Sequence, residues 1–293
     1  MDETQASSTI QTAQAAGGDN AAVSTATDAV YTLHYFTFSL YSLMARFGLA
    51  LGRQLNPETA PRITLQFVNT ADDDNLSEHY LTQVNPRGQV PSLTSPELAA
   101  PISDSRGIAT WLCAKQPELL PEEHKEAIAR LMEKLYHFHL KALNIPADAA
   151  NTGIPNKAAA MLENPGLSEQ HRRALEIKSV FHDTLHCRTV EPEHIANVEE
   201  HVREFMVDLE TVLGENKSDG VRWALGGKPS LLDAYVAPLV IRLMEVGRTE
   251  LMPEAVQAYG TQIGESDEWK QLTHGRRTVW DASMGPIEDL DPK

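Results

Sequence analysis

Cysteine is scarce in this chain: Cys113 and Cys187 are the two thiols among 293 residues. That is too few for a disulfide framework and suits a reducing compartment. Long apolar runs are missing too. No stretch of about 18 or more apolar residues occurs, so no membrane-spanning helix is expected. Positive charge is short, with 25 Lys and Arg against 41 Asp and Glu, a formal net charge of −16. A surface of that sign repels nucleic acid and anionic lipid at long range, so neither is expected as a partner. A soluble, cytosolic protein is expected.

Residues 1–28 are rich in Ala, Ser, Thr, Gln and Gly, with neither an apolar block nor a helical stripe. They read as a disordered tail. They carry no apolar core of a secretory signal, and Asp2 and Glu3 are contrary to a transit peptide. The remaining length is enough for two domains with cores of their own.

From Tyr31 the chain alternates. Tyr31 to Thr37 is dominated by aromatic and β-branched residues and predicts a strand; Leu40, Leu43, Met44, Phe47 and Leu51 recur at helical spacing behind Ser39; Arg62 to Val68 predicts a second strand. A short helix is expected around Ser77 to Val84, a third strand over Gln89 to Leu93, a short strand near Leu98 to Ile102, and a helix over Ser103 to Lys115. Alternation of this kind within 29–117 predicts a small α/β unit. From Pro121 to residue 285 long amphipathic stretches take over, and an all-helical domain is expected. Its segments are 121–144, 156–163, 168–188, 191–213, 230–247, 253–263 and 267–280.

The most distinctive stretch is Asn85-Pro86-Arg87-Gly88-Gln89-Val90-Pro91, followed by Asp104-Ser105. The residues alone support two readings. One is an ordinary Pro-Gly loop. The other is a tight turn with Pro91 cis, which turns the N–H and C=O of Val90 outward to pair with an extended, peptide-like ligand. A third motif, Pro229-Ser230-Leu231-Leu232-Asp233-Ala234-Tyr235, has the spacing of a capping box in Asp form and reads as structural.

These three motifs, in this order and spacing, resemble those of the cytosolic glutathione transferases. The family's Asn-Pro-x-Gly-x-Val-Pro corresponds to Asn85 through Pro91, its Glu-Ser-x-Ala-Ile to Asp104 through Ile108, and its Pro-Ser-x-x-Asp to Pro229 through Asp233. The resemblance runs over about residues 31–250. It implies a thioredoxin-like N-terminal domain, an all-helical C-terminal domain and glutathione as co-substrate or catalyst. The segment from Phe38 to Arg46 and the long helical insertion are also similar to fungal glutathione transferase-like enzymes of secondary metabolism.

The resemblance assigns roles. Asp104 and Ser105 would hold the γ-glutamyl end of glutathione, although an acid and a serine at a helix start also serve as plain caps. Arg106 is grouped with them. Val90 would pair with the cysteinyl backbone above Pro91. Gln89 stands where many members have a Lys, so the glycyl carboxylate would meet no charge there; Arg87, Arg106 and Arg46 are the candidate compensating cations. Where thioredoxin-fold redox proteins carry Cys-Pro-x-Cys, this chain has Ser39-Leu40-Tyr41-Ser42. Hydroxyls in place of sulfurs argue against disulfide chemistry and for stabilising a bound thiolate by hydrogen bond and helix dipole. Ser39 is the first choice, Ser42 the second, and Tyr35 or Tyr41 the alternative donor.

An acceptor pocket for a hydrophobic electrophilic small molecule is expected between the domains, near Tyr41, Tyr136, Phe138 and His139. The segment 145–195 either caps it or is a peripheral excursion. His182 and His186 sit four apart on one helical face, but Asp183 replaces the glutamate of a zinc-protease motif, and no metal is expected. Family habit implies a homodimer. Three functions are carried forward: conjugation, glutathione-assisted cis-trans isomerisation, and a non-catalytic interaction or regulatory module.

Overall fold

The computed structural model describes residues 30–137, 140, 143, 154–187, 191–216 and 222–290. The tail at 1–28, together with Phe138 and His139, lies outside the described residues. The N-terminal part holds β1 (Val30–Tyr35), α1 (Leu40–Leu55), β2 (Arg62–Phe67), β3 (Ser92–Thr94) and α2 (Ser105–Lys115). The sheet order is β2-β1-β3, with β1 parallel to β2 and antiparallel to β3, where Leu33 faces Leu93. The strand expected near Leu98 to Ile102 is a single bridge between Leu93 and Ile102. The third strand begins at Ser92 rather than Gln89, because Pro91 has no N–H for the ladder and the Gln89 carbonyl is engaged by side chains.

The helical part follows as α3 (Lys125–Tyr136), α4 (Lys157–Met161), α5 (Glu169–Phe181), α6 (Pro192–Glu215), α7 (Leu231–Glu245), α8 (Glu254–Gly264) and α9 (Asp267–Thr273). The order of an α/β unit and then helices is the one expected from the sequence. Some ends differ. The segment expected to run to 280 stops at Thr273, because His274 and Gly275 both adopt positive φ and the Gly275 N–H closes back on the Lys270 carbonyl at 3.1 Å. Helix α5 continues through a π turn, His182–His186.

One apolar core runs from β1 and α1 through α2, α3, α6, α7 and α8 to Trp269. Helix α7 is its axis: every residue from Leu231 to Leu243 is buried, as expected of a helix apolar on all sides. It packs directly on α1. A Cβ added at Gly48 would stand 2.9 Å from Leu112 of α2 and 3.5 Å from Ala234 of α7, so the glycine permits the three-helix contact.

The start of α7 is fixed by Asp233. Its buried carboxylate accepts from the Ala224 N–H (2.8 Å), the Ser230 N–H and hydroxyl (2.9 Å each) and the Tyr259 hydroxyl (2.9 Å). Burial pushes this carboxyl's pKa up, against the pull of these hydrogen bonds. Asp233→Ala leaves buried donors without an acceptor, so urea unfolding should show a loss of about 3 kcal/mol, with a loss below 1 kcal/mol contradicting this account.

Candidate functional site

The corner between the Tyr80–Val84 turn and β3 is built around Asn85. The turn Tyr80–Val84 ends there, with the Asn85 N–H on the Tyr80 carbonyl at 2.8 Å. The fully buried Asn85 side chain directs its Nδ2 toward the Gln89 carbonyl, Ser92 Oγ and the Ser103 carbonyl, each at 3.0 Å. Its Oδ1 accepts from the Arg87 N–H at 2.9 Å. One amide thus ties the loop to β3 and to the approach of α2. Gly88 turns at φ 56°, and its carbonyl accepts from Asn75 Nδ2 at 2.7 Å. The Tyr80 hydroxyl donates to the Gln89 carbonyl at 2.7 Å. The Val90–Pro91 bond is cis. The side chain of Val90 packs on Val68, Tyr80 and Val84, while its N–H and carbonyl have no hydrogen-bond partner among the described residues.

Ser39 is the N-cap of α1, with extended backbone (φ −74°, ψ 121°) and its Oγ accepting from the Ser42 N–H at 3.3 Å. Accepting leaves its own proton to donate. A cavity of about 440 Å³ lies in front of it. Its walls include Phe38, Ser39 and Tyr41 at the start of α1, Gly88 to Val90 at the corner, and Asn156, Lys178 and His182 from the helical part.

The wall from the helical part comes from α4 and α5, which cross over the N-terminal part. Ala158, Ala174 and Leu175 form an apolar cluster with Leu76 and Leu81. Polar contacts surround it: Lys157 Nζ on Asp73 at 2.7 Å, Ser168 Oγ on Glu78 at 2.8 Å, His171 Nε2 on the Leu76 carbonyl at 2.8 Å and Lys178 Nζ on the Arg87 carbonyl at 2.6 Å. Of the long 145–195 segment, residues 154–182 therefore cover the cavity, while 144–153 lie outside the described residues.

Solved structures share this architecture. The holo form of maleyl pyruvate isomerase, a bacterial zeta-class glutathione S-transferase, superposes with a TM-score of 0.51 at 19% identity over 85% of this chain and 100% of that one. The chain has the glutathione-transferase fold. Poplar glutathione transferase F1 gives 0.53 at 16% identity over 85% and 99%. A glutathione transferase family member from Pseudomonas fluorescens, solved with two glutathione molecules bound, gives 0.51 at 13% over 83% and 91%. No family model matches the chain, and no curated protein matches it.

On this glutathione-transferase fold the expected site residues divide. Ser39, Tyr41, Gln89 and Val90 line the cavity, with Pro91 buried directly behind Val90. Ser42 is fully buried, accepts from the Phe36 N–H at 3.3 Å and does not line the cavity. Tyr35 is a core residue of β1, with the Arg46 guanidinium 4.6 Å from its ring centre. Asp104 caps α2 through the Gly107 N–H at 2.7 Å, and the Ser105 carbonyl accepts from the Tyr235 hydroxyl at 2.7 Å. Both stand outside the cavity walls, joined to the corner through Asn85 and Ser103. Arg106 pairs with Glu133 at 2.5 Å and lies over the Tyr136 ring. Tyr136 itself packs edge-on against Tyr235, away from the cavity. The Tyr41 hydroxyl accepts from the Leu140 N–H at 3.2 Å, and burial raises its pKa. Of the cations considered from sequence, Arg46 reaches the Leu272 carbonyl and Arg87 lies over Phe181, so neither turns to Gln89.

Lys178 is a cavity residue that the sequence did not single out. It lies 91 residues from the Arg87 carbonyl it touches, inside an amphipathic helix where a lysine looks like solvated surface. His182, considered from sequence for a metal, instead sets its Nδ1 3.0 Å from Asp183. Among the described residues no group of three or more His, Cys, Asp or Glu side chains is arranged to hold a metal ion.

Two predictions concern the corner. Asn85→Ala removes a buried amide that serves the loop, β3 and α2 together; urea unfolding should show a loss of about 2 kcal/mol or more, and a neutral result would contradict its role. Beneath the corner, His34 bonds Thr94 Oγ1 at 2.9 Å and meets the Tyr80 ring edge-on. Burial, assisted by His79, pushes its pKa down to about 4. Between about pH 6.5 and 4 the unfolded chain therefore binds a proton that the folded one does not, and stability falls as pH falls. The unfolding midpoint of His34→Gln should change less over that window than the parent's; parallel curves would show that another group titrates.

Proposed function

We propose that this protein is a glutathione-dependent enzyme that stabilises the glutathione thiolate at Ser39 for attack on an electrophilic, conjugated small molecule. The observation that carries the reading is the placement of the Ser39 hydroxyl. It caps α1, keeps its proton to donate, and faces a cavity whose adjacent wall is the outward backbone of Val90. A hydroxyl donor beside the positive end of a helix favours an anion, so it lowers the pKa of a thiol from about 8.5 and raises the thiolate fraction near neutral pH. Val90 offers the N–H and carbonyl that a cysteinyl residue can pair with in an extended geometry. Asp104 and Ser105, at the start of α2, are proposed for the γ-glutamyl end, with Arg106 in their vicinity. Tyr41 belongs to the acceptor side.

In conjugation the thiolate forms a C–S bond to the electrophilic carbon, the displaced electron pair moves onto the conjugated carbonyl, and a proton completes the adduct. If rotation about the former double bond precedes expulsion of the same thiolate, the outcome is cis-trans isomerisation and glutathione is regenerated. The likeness to a maleyl pyruvate isomerase supports keeping this second outcome. A non-catalytic module of the same fold is the reading of another class, and glutathione that fails to bind in calorimetry would favour it. The homodimer and the cytosolic location belong to the proposal as well.

The direct test is Ser39→Ala. Glutathione bound to the variant should lose most of its thiolate ultraviolet absorbance at neutral pH, by roughly tenfold or more, while its affinity changes little. An undiminished thiolate signal would remove Ser39 from the role. Following glutathione during turnover separates the two reactions, since stoichiometric consumption excludes pure isomerisation.

A further inference from the structure

Lys178 brings to the cavity a buried ammonium with no carboxylate on it among the described residues. The residue is 8% exposed, and its Nζ donates to the Arg87 carbonyl at 2.6 Å. The other ionisable groups of the cavity wall already have partners: Asp73 pairs with Lys157 at 2.7 Å, and His182 Nδ1 stands 3.0 Å from the Asp183 carboxylate. An ammonium has three protons to donate, and one carbonyl uses one of them. Its Nζ also stands 5.2 Å from the centre of the Phe181 ring, yet a buried cation met by a neutral carbonyl and a ring face is poorly compensated, and burial pushes its pKa down to about 8. An anionic ligand group arriving beside it would supply both the missing charge and further acceptors.

The position of Lys178 selects which end of a ligand it meets. Its side chain lies against Gly88, where an added Cβ would come within 3.3 Å of Lys178 Cε, and it shares the cavity wall with Gln89. Asp104 and Ser105 do not line the cavity. We propose that Lys178, reaching across from α5, binds the ligand carboxylate at the Gln89 end of the site, which on the glutathione reading above is the glycyl carboxylate. The charge absent from Gln89 is then supplied by the helical part of the chain. Affinity for the ligand thereby depends on α5 staying docked over the corner, through the Leu76–Leu81–Leu175 cluster and the Lys157–Asp73 pair.

Calorimetry with glutathione and with its glycine monoethyl ester, on the parent protein and on Lys178→Met, tests this. The parent should bind glutathione at least about tenfold more tightly than the ester, and Lys178→Met should bring that ratio close to one with the ester affinity nearly unchanged. The ratio is insensitive to damage to the fold, which would weaken both ligands together. A parent protein without the preference, a preference that survives in Lys178→Met, or an equal loss for both ligands would each overturn the role of Lys178 while leaving glutathione binding in place. Failure of the parent to bind glutathione at all would instead overturn the glutathione reading on which this inference rests.

Discussion

Burial of α7 on every side is the constraint on which the rest of this structure depends. A helix with no solvent-facing stripe must be enclosed by other elements, and here α1, α3 and α8 enclose it. Its few polar side chains then have to find partners in the interior. Asp233 satisfies the chain entering the helix. Tyr235 donates to the Ser105 carbonyl at the first turn of α2, and Arg242 donates to the Phe38 carbonyl at 2.9 Å, one residue before Ser39. The helical part thus grips the α/β part at the starts of α1, beside the cavity, and of α2. Burial pulls the Arg242 pKa down to about 10, which leaves it charged at neutral pH and committed to these carbonyls and to Thr278.

The same logic explains the corner. A loop that leaves Val90's backbone unpaired gives up ladder hydrogen bonds, and its other polar groups must be held by side chains instead. Asn85, Asn75 and Tyr80 do this for Gln89, Gly88 and Ser103. Rigidity in that loop comes from three side chains rather than from the sheet, which is three strands wide among the described residues. The α4–α5 crossing adds a second layer. It turns an open cleft beside Ser39 into a covered one, and it brings Lys178 and His182 into the wall.

Much of the architecture was legible in the sequence. The alternation of strand and helix before Pro121, the Ser39 helix start, the Asn85 to Pro91 corner and the Asp233 capping box are all local signals, and local signals come from turn chemistry and from side-chain periodicity. Where ends differed, the reason was local too, as with the positive φ of His274 and Gly275 that stops α9. The site was legible in part. Ser39 and Ser42 look equivalent as hydroxyls near a helix start, as does Tyr35 nearby, yet helical rotation buries Ser42 against the Phe36 N–H and strand alternation buries Tyr35 beneath Arg46. Arg106 and Tyr136 looked available and are occupied with Glu133 and Tyr235.

By itself, then, the sequence determined which residue types meet at the corner, where the helices begin, and that hydroxyls stand where thioredoxin-fold redox proteins carry sulfur. Only the tertiary structure decided which hydroxyl faces the cavity, that α4 and α5 cover it, and that its ammonium arrives on Lys178. Those are matters of long-range packing: they depend on how α5 crosses residues 76–90, about ninety positions earlier in the chain, and a contact between segments so far apart leaves no periodic trace in either one.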